Sequence, residues 1–165
     1  MITLRAIEPE DLGLLYSIEN DPEVWCVGTP SGPYSRYALK QYIAAQPATV
    51  FGAGSLRLAI CADGRAVGSL DLLDVSPTDR RAEVGIALLA AERGKGYARA
   101  ALEQLEEYAR DILNLRMLFA KVSASANPAA RQLFLGCGYV DVATLPAWHY
   151  RAGQYEDLLV LQKLI

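Results

Sequence analysis

The sequence is poor in the groups that most often mark a metal centre or a disulfide scaffold. It has a single histidine and three cysteines in 165 residues. His149 stands beside Trp148 with no Cys, His or Asp cluster around it, so no metal is expected. Cys26, Cys61 and Cys137 are odd in number and far apart, which reads as reduced thiols of a cytosolic protein. Cys137 lies near an expected helix end and reads as packing. No apolar run approaches the roughly 18 residues of a membrane span. The opening Met1-Ile2-Thr3-Leu4-Arg5 lacks the apolar core of a secretory signal, and a cytoplasmic location is expected. Excess charge of one sign is also missing. Sixteen basic against nineteen acidic side chains leave a net charge of −3, with no basic run or basic–aromatic stripe, so no nucleic-acid partner is expected. The slight acidity suits a cationic substrate without requiring one. Repeats, low-complexity tracts and linkers are absent, and 52% hydrophobic with 21% charged residues is an ordinary globular balance. A single domain over residues 1–165 is the expectation.

What is present is an alternation of periods. Thr3 to Ala6 reads as a strand, and Pro9 opens a helix carrying Leu12, Leu15 and Ile18 until Asn20-Asp21-Pro22 breaks it. A loop from Val27 to Pro33 leads to Ser35, which can cap a second helix with Leu39, Tyr42 and Ile43. Leu56, Leu58 and Ile60 alternate with polar or small residues, and Asp63-Gly64 predicts a tight hairpin into Val67–Leu73. After a Ser76-Pro77-Thr78-Asp79 turn, Ala82–Leu89 completes an antiparallel meander. A long helix is predicted from Tyr97 to Leu113, with Ala98, Ala101, Leu102, Leu105, Ala109 and Ile112 on one face. Leu118–Ser123 is a further strand. Asn127-Pro128 starts a helix that Gly138 ends. Tyr139–Thr144, Trp148–Arg151 and Leu158–Leu164 read as closing strands, with Gly153 in the last turn. The order predicts one mixed α/β (α+β) domain.

The sharpest local feature is Arg93-Gly94-Lys95-Gly96-Tyr97-Ala98, between a strand and a helix. Such a turn is an anion site. The first helical N–H groups lack partners, the helix dipole adds about half a positive charge, and glycine lets a phosphate approach the backbone. Arg93 and Lys95 add cationic charge. A nucleotide P-loop requires Ser or Thr after the lysine, where Gly96 stands. A dinucleotide fingerprint requires a small residue where Arg99 stands, and a parallel βαβ unit. The remaining reading is the acetyl-CoA signature Gln/Arg-x-x-Gly-x-Gly/Ala, matched by Arg93, Gly96 and Ala98. On its own the short motif also fits an ordinary strand-to-helix turn.

Five further segments agree with that signature in order: Asn20-Asp21-Pro22-Glu23-Val24; Gly32-Pro33-Tyr34-Ser35; Ala82-Glu83-Val84-Gly85-Ile86; Asn127-Pro128-x-Ala130 with Gly136-Cys137-Gly138-Tyr139; and Gly153-Gln154-Tyr155-x-Asp157. Nearly the whole chain resembles the GNAT N-acetyltransferases, in the branch of spermidine/diamine N-acetyltransferases and ribosomal-protein N-terminal acetyltransferases. The resemblance implies a mostly antiparallel mixed sheet, splayed between its fourth and fifth strands and flanked by about four helices. It implies acetyl-CoA as co-substrate. Backbone groups of Ile86, Ala87 and Leu88 would pair with the pantetheine amides. The turn Arg93, Gly94, Lys95, Gly96, Tyr97 and Ala98 would hold the pyrophosphate. Asn127 would reach the pantetheine, or serve only as a helix cap, or do both.

Amide formation requires a neutral amine, and alkylamines have pKa values of roughly 10. Glu83, on the strand leading to the cleft, is the candidate base and substrate contact. Its alternative role is an ion pair with Arg80 or Arg81. The family's general-acid tyrosine on the last helix falls at Phe134, which cannot donate a proton but is placed at the cofactor by the resemblance. Tyr139 is the candidate substitute, with Tyr155 behind it. Trp25, Tyr34 and Trp148 are candidates for the acceptor pocket. Where the spermidine enzymes carry acidic residues before Pro-Tyr, this chain has Thr29-Pro30-Ser31-Gly32. The expected reaction is acetyl transfer to a primary amine, polyamine-like or a protein N-terminus. A non-catalytic acyl-CoA-binding domain is the competing expectation, and a homodimer is compatible with either.

Overall fold

In the computed structural model, residues 1–27, 32–47 and 49–165 are described. The segment 28–31, which holds the expected Thr29-Pro30-Ser31 departure, lies outside them, as do residue 48 and the side chains of Cys26 and Val27. Strands are β1 (Ile2–Ala6), β2 (Leu56–Ala62), β3 (Arg65–Ser76), β4 (Arg81–Leu88), β5 (Met117–Ser123), β6 (Val140–Arg151) and β7 (Gln154–Leu164). They form one sheet in the order β1-β2-β3-β4-β5-β7-β6. Every neighbouring pair is antiparallel except β4 and β5. The helices among the described residues are α1 (Leu12–Glu19), α2 (Pro22–Val27), α3 (Arg36–Ala44), α4 (Val50–Ala53), α5 (Tyr97–Asp111) and α6 (Pro128–Gly136).

Local chemistry accounts for most boundaries. Asp63 and Gly64 both have positive φ (49° and 83°), the geometry of the two-residue hairpin turn that their types predict. Ser35 caps α3 by accepting from the Ala38 N–H, and Asn127 caps α6 by accepting from the Ala130 N–H. Two helices exceed the expected set. Asp21-Pro22 does end α1, but Pro22 then occupies the first turn of a new helix, and the Asp21 carboxylate accepts from the Glu23 N–H at 2.9 Å. Thr49 caps the short α4 through the Gly52 N–H. The expected separate strands at 139–144 and 148–151 are one strand, β6. The interruption at Pro146 is a register shift between Leu145 and His149, with Ala147 at φ 50°. Ile112 leaves the apolar face of α5 and is exposed, because the helix ends at Asp111. Leu113 is buried in its stead.

The sheet has a core on each face. One side carries α5 and α6, with Leu102, Leu105 and Ala109 against Leu70, Leu72, Val84 and Leu118. Each fully buried leucine contributes about 1.5–3 kcal/mol. On the other face Leu15, Leu39 and Ile43 pack with Ile7, Ala59 and Cys61. Cys61 and Cys137 are free thiols, and burial raises the Cys137 pKa. A charged triad also ties α1 to the sheet on this second face. The Arg57 guanidinium is bonded to Glu19 at 2.5 Å and to Asp71 at 2.6 and 3.0 Å, with all three side chains largely buried. Burial pushes the Asp71 pKa upward while Arg57 opposes that shift.

The triad makes stability sensitive to removal of one member. Arg57→Ala should cost about 3–5 kcal/mol, because it strands the Asp71 carboxylate. Adding Asp71→Ala should recover part of that loss. Urea denaturation of the single and double variants measures both, and a double variant weaker than Arg57→Ala would contradict the pairing.

Candidate active site

The site begins where β4 and β5 part. As parallel neighbours they pair at Arg81–Met117, Ala82–Leu118 and Glu83–Phe119, and no further. Beyond Glu83, β4 is still paired with β3 through Gly68–Leu88 on its other side. One edge of Val84–Leu88 is therefore left without a strand partner among the described residues, a ready template for an extended ligand with amide groups.

The end of β4 feeds a 3-10 turn, Ala90–Glu92, and then the glycine turn into α5. Gly94 and Gly96 have φ of 75° and 80°, a region that L side chains avoid. A β-carbon at either position would meet nothing within 4 Å, so the space above both is open. Gly96 is the N-cap of the 15-residue α5. No side chain caps this end, and no acidic residue lies in its first turn. The free N–H groups and the positive dipole end face the open space, and the residues present fit a phosphate-bearing ligand.

A cavity of about 760 Å³ connects these features. Its floor is Ile86, Ala87 and Leu88; its phosphate end is Arg93, Gly94, Gly96, Tyr97, Ala98 and Arg99. Ala126, Asn127, Ala129, Ala130 and Leu133 form one wall, and Glu23 and Val24 of α2 form the other. The Asn127 cap uses only Oδ1, leaving its amide nitrogen available on the cavity side.

The cationic side chains of the turn are directed elsewhere. Lys95 does not line the cavity; its ammonium is bonded to Glu92 at 3.0 Å, and Arg65 holds the same carboxylate at 2.8 Å. These contacts hold the Glu92 pKa below the usual carboxylate range. Arg93 bonds to Glu23, Asp21 and the Leu88 carbonyl, and Arg99 donates to the Gly136 carbonyl at 2.8 Å. Arg93 and Arg99 thus line this end with their guanidiniums already engaged, and the backbone N–H groups of the turn are its uncommitted donors.

Several expected site residues lie off the cavity. Phe134 is 3% exposed, and its ring meets Tyr139 edge-on with centroids 5.0 Å apart. The cavity face of α6 runs through Ala129, Ala130 and Leu133, and position 134 is one helical step around from it. Tyr139 is 1% exposed and is not an available acid. Burial, reinforced by the Glu106 carboxylate, drives its pKa far above the ordinary tyrosine value, and no strong hydrogen bond satisfies its hydroxyl. Tyr155 is exposed beside Tyr150 on the β6–β7 arm. Trp148, on β6, is exposed and does not line the cavity. The Trp25 indole N–H donates to the Glu19 carbonyl at 2.7 Å, and its ring lies against the Gly32 backbone, so it props α2 on its inner side. Tyr34 packs against the α1/α3 core, and its backbone exchanges two hydrogen bonds with Asn20.

Glu83 marks the last paired rung of the split and lies below the cavity rather than lining it. Its carboxylate is largely buried and accepts from Lys121 at 2.8 Å. The expected partners are engaged elsewhere: Arg80 with Asn114, and Arg81 with Asp74. Glu23, Val24 and Arg99 were not anticipated as lining residues. The sequence signal for the α6 wall was present, since Ala126, Ala129, Ala130 and Leu133 repeat at helical spacing. The α2 wall carries no such signal, because the few residues between the Asn20-Asp21-Pro22 break and the expected loop from Val27 are too short a stretch to show a helical period.

Comparison with known proteins agrees with this geometry. Residues 1–140 match the acetyltransferase (GNAT) domain model. The spermidine N(1)-acetyltransferase of Vibrio cholerae is 25% identical over 158 residues, covering 95% of this chain and 89% of that protein. Its Escherichia coli K12 counterpart is 24% identical, covering 96% and 83%. A crystal structure of the Vibrio cholerae spermidine N-acetyltransferase in complex with CoA and spermine superimposes with a TM-score of 0.86 at 25% identity, over 99% of this chain and 95% of that one. A dodecameric structure of that enzyme gives 0.81 at 25% identity, over 99% and 93%. With the split sheet, the uncapped helix end and the family match in agreement, the chain belongs to the GNAT acetyltransferases, which move an acetyl group from acetyl-CoA to an amine nitrogen.

Proposed function

We propose that the acceptor is a small primary amine of the polyamine type. The observation that carries this reading is the likeness, over nearly the whole chain, to spermidine N-acetyltransferases. Of the carboxylates near the cleft, Glu23 lines the wall and is 73% exposed although it is paired with Arg93, which leaves part of its surface to a cationic acceptor. Acetyl-CoA supplies the acyl thioester. The β4 edge at Ile86, Ala87 and Leu88 and the Asn127 amide bind and orient the pantetheine arm. N–H groups of Gly94 to Ala98 take the pyrophosphate. Further N–H groups on the unpaired β4 edge are available to the acyl oxygen as it gains negative charge.

Glu83 is the proposed base, accepting the amine proton directly or through a water, with Lys121 holding its carboxylate at the apex of the split. No side-chain acid is assigned, since Phe134 cannot donate and Tyr139 is buried. A thiol pKa near 8.5 makes a thiolate a tolerable leaving group without one. Self-association, which the dodecameric Vibrio enzyme shows for itself, would fall on the exposed outer edge β6. Sedimentation that finds only monomer would remove that part of the reading.

Thiol release from acetyl-CoA over a panel of polyamines, monoamines and N-terminal peptides tests the acceptor. Fastest turnover with a peptide would replace the small-amine reading, and tight CoA binding without turnover on any amine would sink it. Gly96→Glu places a strained carboxylate at the phosphate end and should abolish CoA binding by calorimetry; unchanged affinity would contradict the cradle. Glu83→Gln should slow turnover about 10²-fold or more. The loss should be largest at low pH, where the amine is mostly protonated, and an equal loss across the pH profile would argue against a base.

A further inference from the structure

The arginine of the acetyl-CoA signature is fully engaged within the protein. The Nε of Arg93 donates to the Leu88 carbonyl at 3.2 Å, at the end of β4. Its Nη1 meets Glu23 at 2.5 Å and its Nη2 meets Asp21 at 3.1 Å. The three nitrogens thus join the last residue of β4 to the Glu23 carboxylate on the opposite wall and to the Asp21 carboxylate just before α2, 70 and 72 residues away in the chain. Asp21 is doubly used. One oxygen accepts from the Glu23 N–H at the start of α2, and the other accepts from Arg93. The Asp21 side chain is 21% exposed, so this pair is partly shielded from solvent, whereas Glu23 is 73% exposed.

α2 is a six-residue helix, too short to be stable by its own hydrogen bonds. Trp25 ties it backward to α1 through the Glu19 carbonyl, and Arg93 ties it forward to β4. Glu23 and Val24, which α2 carries, face the cavity across from Asn127 and Ala130. The distance between those walls is therefore set in part by one guanidinium.

We propose that Arg93 is a positioning residue that clasps α2 to the end of β4 and so shapes the acceptor side of the cleft, rather than a phosphate ligand. This rests on the transferase reading for its effect on turnover but not for the clasp itself. With the clasp made, Val24 and Glu23 hold one position against Ile86–Leu88, and an amine meets a preformed wall. With it broken, α2 samples open arrangements and the acceptor must order it on binding. The phosphate end, made of backbone N–H groups on the intact α5, is untouched.

Two sets of variants test the clasp from both sides: Arg93→Ala, and Asp21→Asn with Glu23→Gln. Each should raise the acceptor KM about five- to tenfold, the scale expected for losing two partly exposed ion pairs, while the CoA dissociation constant stays within about twofold. Combining them should add little, because both break the same tie. In the free protein, hydrogen exchange of the Pro22–Val27 backbone should accelerate about tenfold in both sets. That readout decides the clasp even if no amine in the panel is turned over, an outcome that would count against the transferase reading instead. A tenfold loss of CoA affinity in Arg93→Ala alone would make Arg93 a phosphate ligand and overturn the proposal. Unchanged exchange in α2 would overturn it equally.

Discussion

The separation of β4 from β5 after three paired residues is the constraint on which the site depends. Parallel strands in a continuous sheet satisfy each other's backbone groups, and a buried unpaired edge costs about 1–3 kcal/mol for each lost hydrogen bond. Here the edge is left open from Val84 to Leu88, and its Ile86–Leu88 end lines a cavity, where a ligand with amide groups can complete it. The rest of the molecule holds that opening. β1, β2 and β3 brace β4 from one side, and β7 braces β5 from the other. α5 begins at the mouth and packs its apolar face beneath the sheet, so its positive end cannot drift from the strand.

Charge around the opening is largely balanced within the protein. Lys95 and Arg65 share Glu92, Arg93 is held by Asp21 and Glu23, Arg99 is bonded to a backbone carbonyl, and Lys121 answers Glu83. The consequence is a division of labour. In the proposed site, anion binding would fall on backbone N–H groups and the α5 dipole, which need no side-chain ordering, while the basic side chains are engaged in contacts within the protein. The signature arginine keeps its place in the turn while its guanidinium is bonded to Asp21, Glu23 and the Leu88 carbonyl.

The same division bears on the missing acid. Phe134 and Tyr139 meet edge-on inside the core behind α6, an arrangement that stabilises the helix against the sheet and removes both rings from the cavity. Leu133 presents an apolar surface in that part of the wall. The proposed chemistry then rests on the intrinsic ease of thiolate departure and on the carboxylate at the apex of the split.

Much of the fold was legible in the sequence because its signals are local. The Asp63-Gly64 hairpin, the Ser35 and Asn127 caps and the Gly94/Gly96 turn depend on the conformational preferences of a few adjacent residues, and the apolar spacing of α5 depends only on helical period. Motif order then carried the family. Tertiary structure alone decided where side chains meet across long separations. It chose Lys121 over Arg80 or Arg81 as the partner of Glu83, buried Tyr139, turned Leu133 rather than Phe134 toward the cleft, and committed Arg93 to a helix some 70 residues earlier. Those outcomes depend on the rotation of a helix about its axis and on which of several nearby charges lies within hydrogen-bond reach, and neither is encoded in any short stretch of chain.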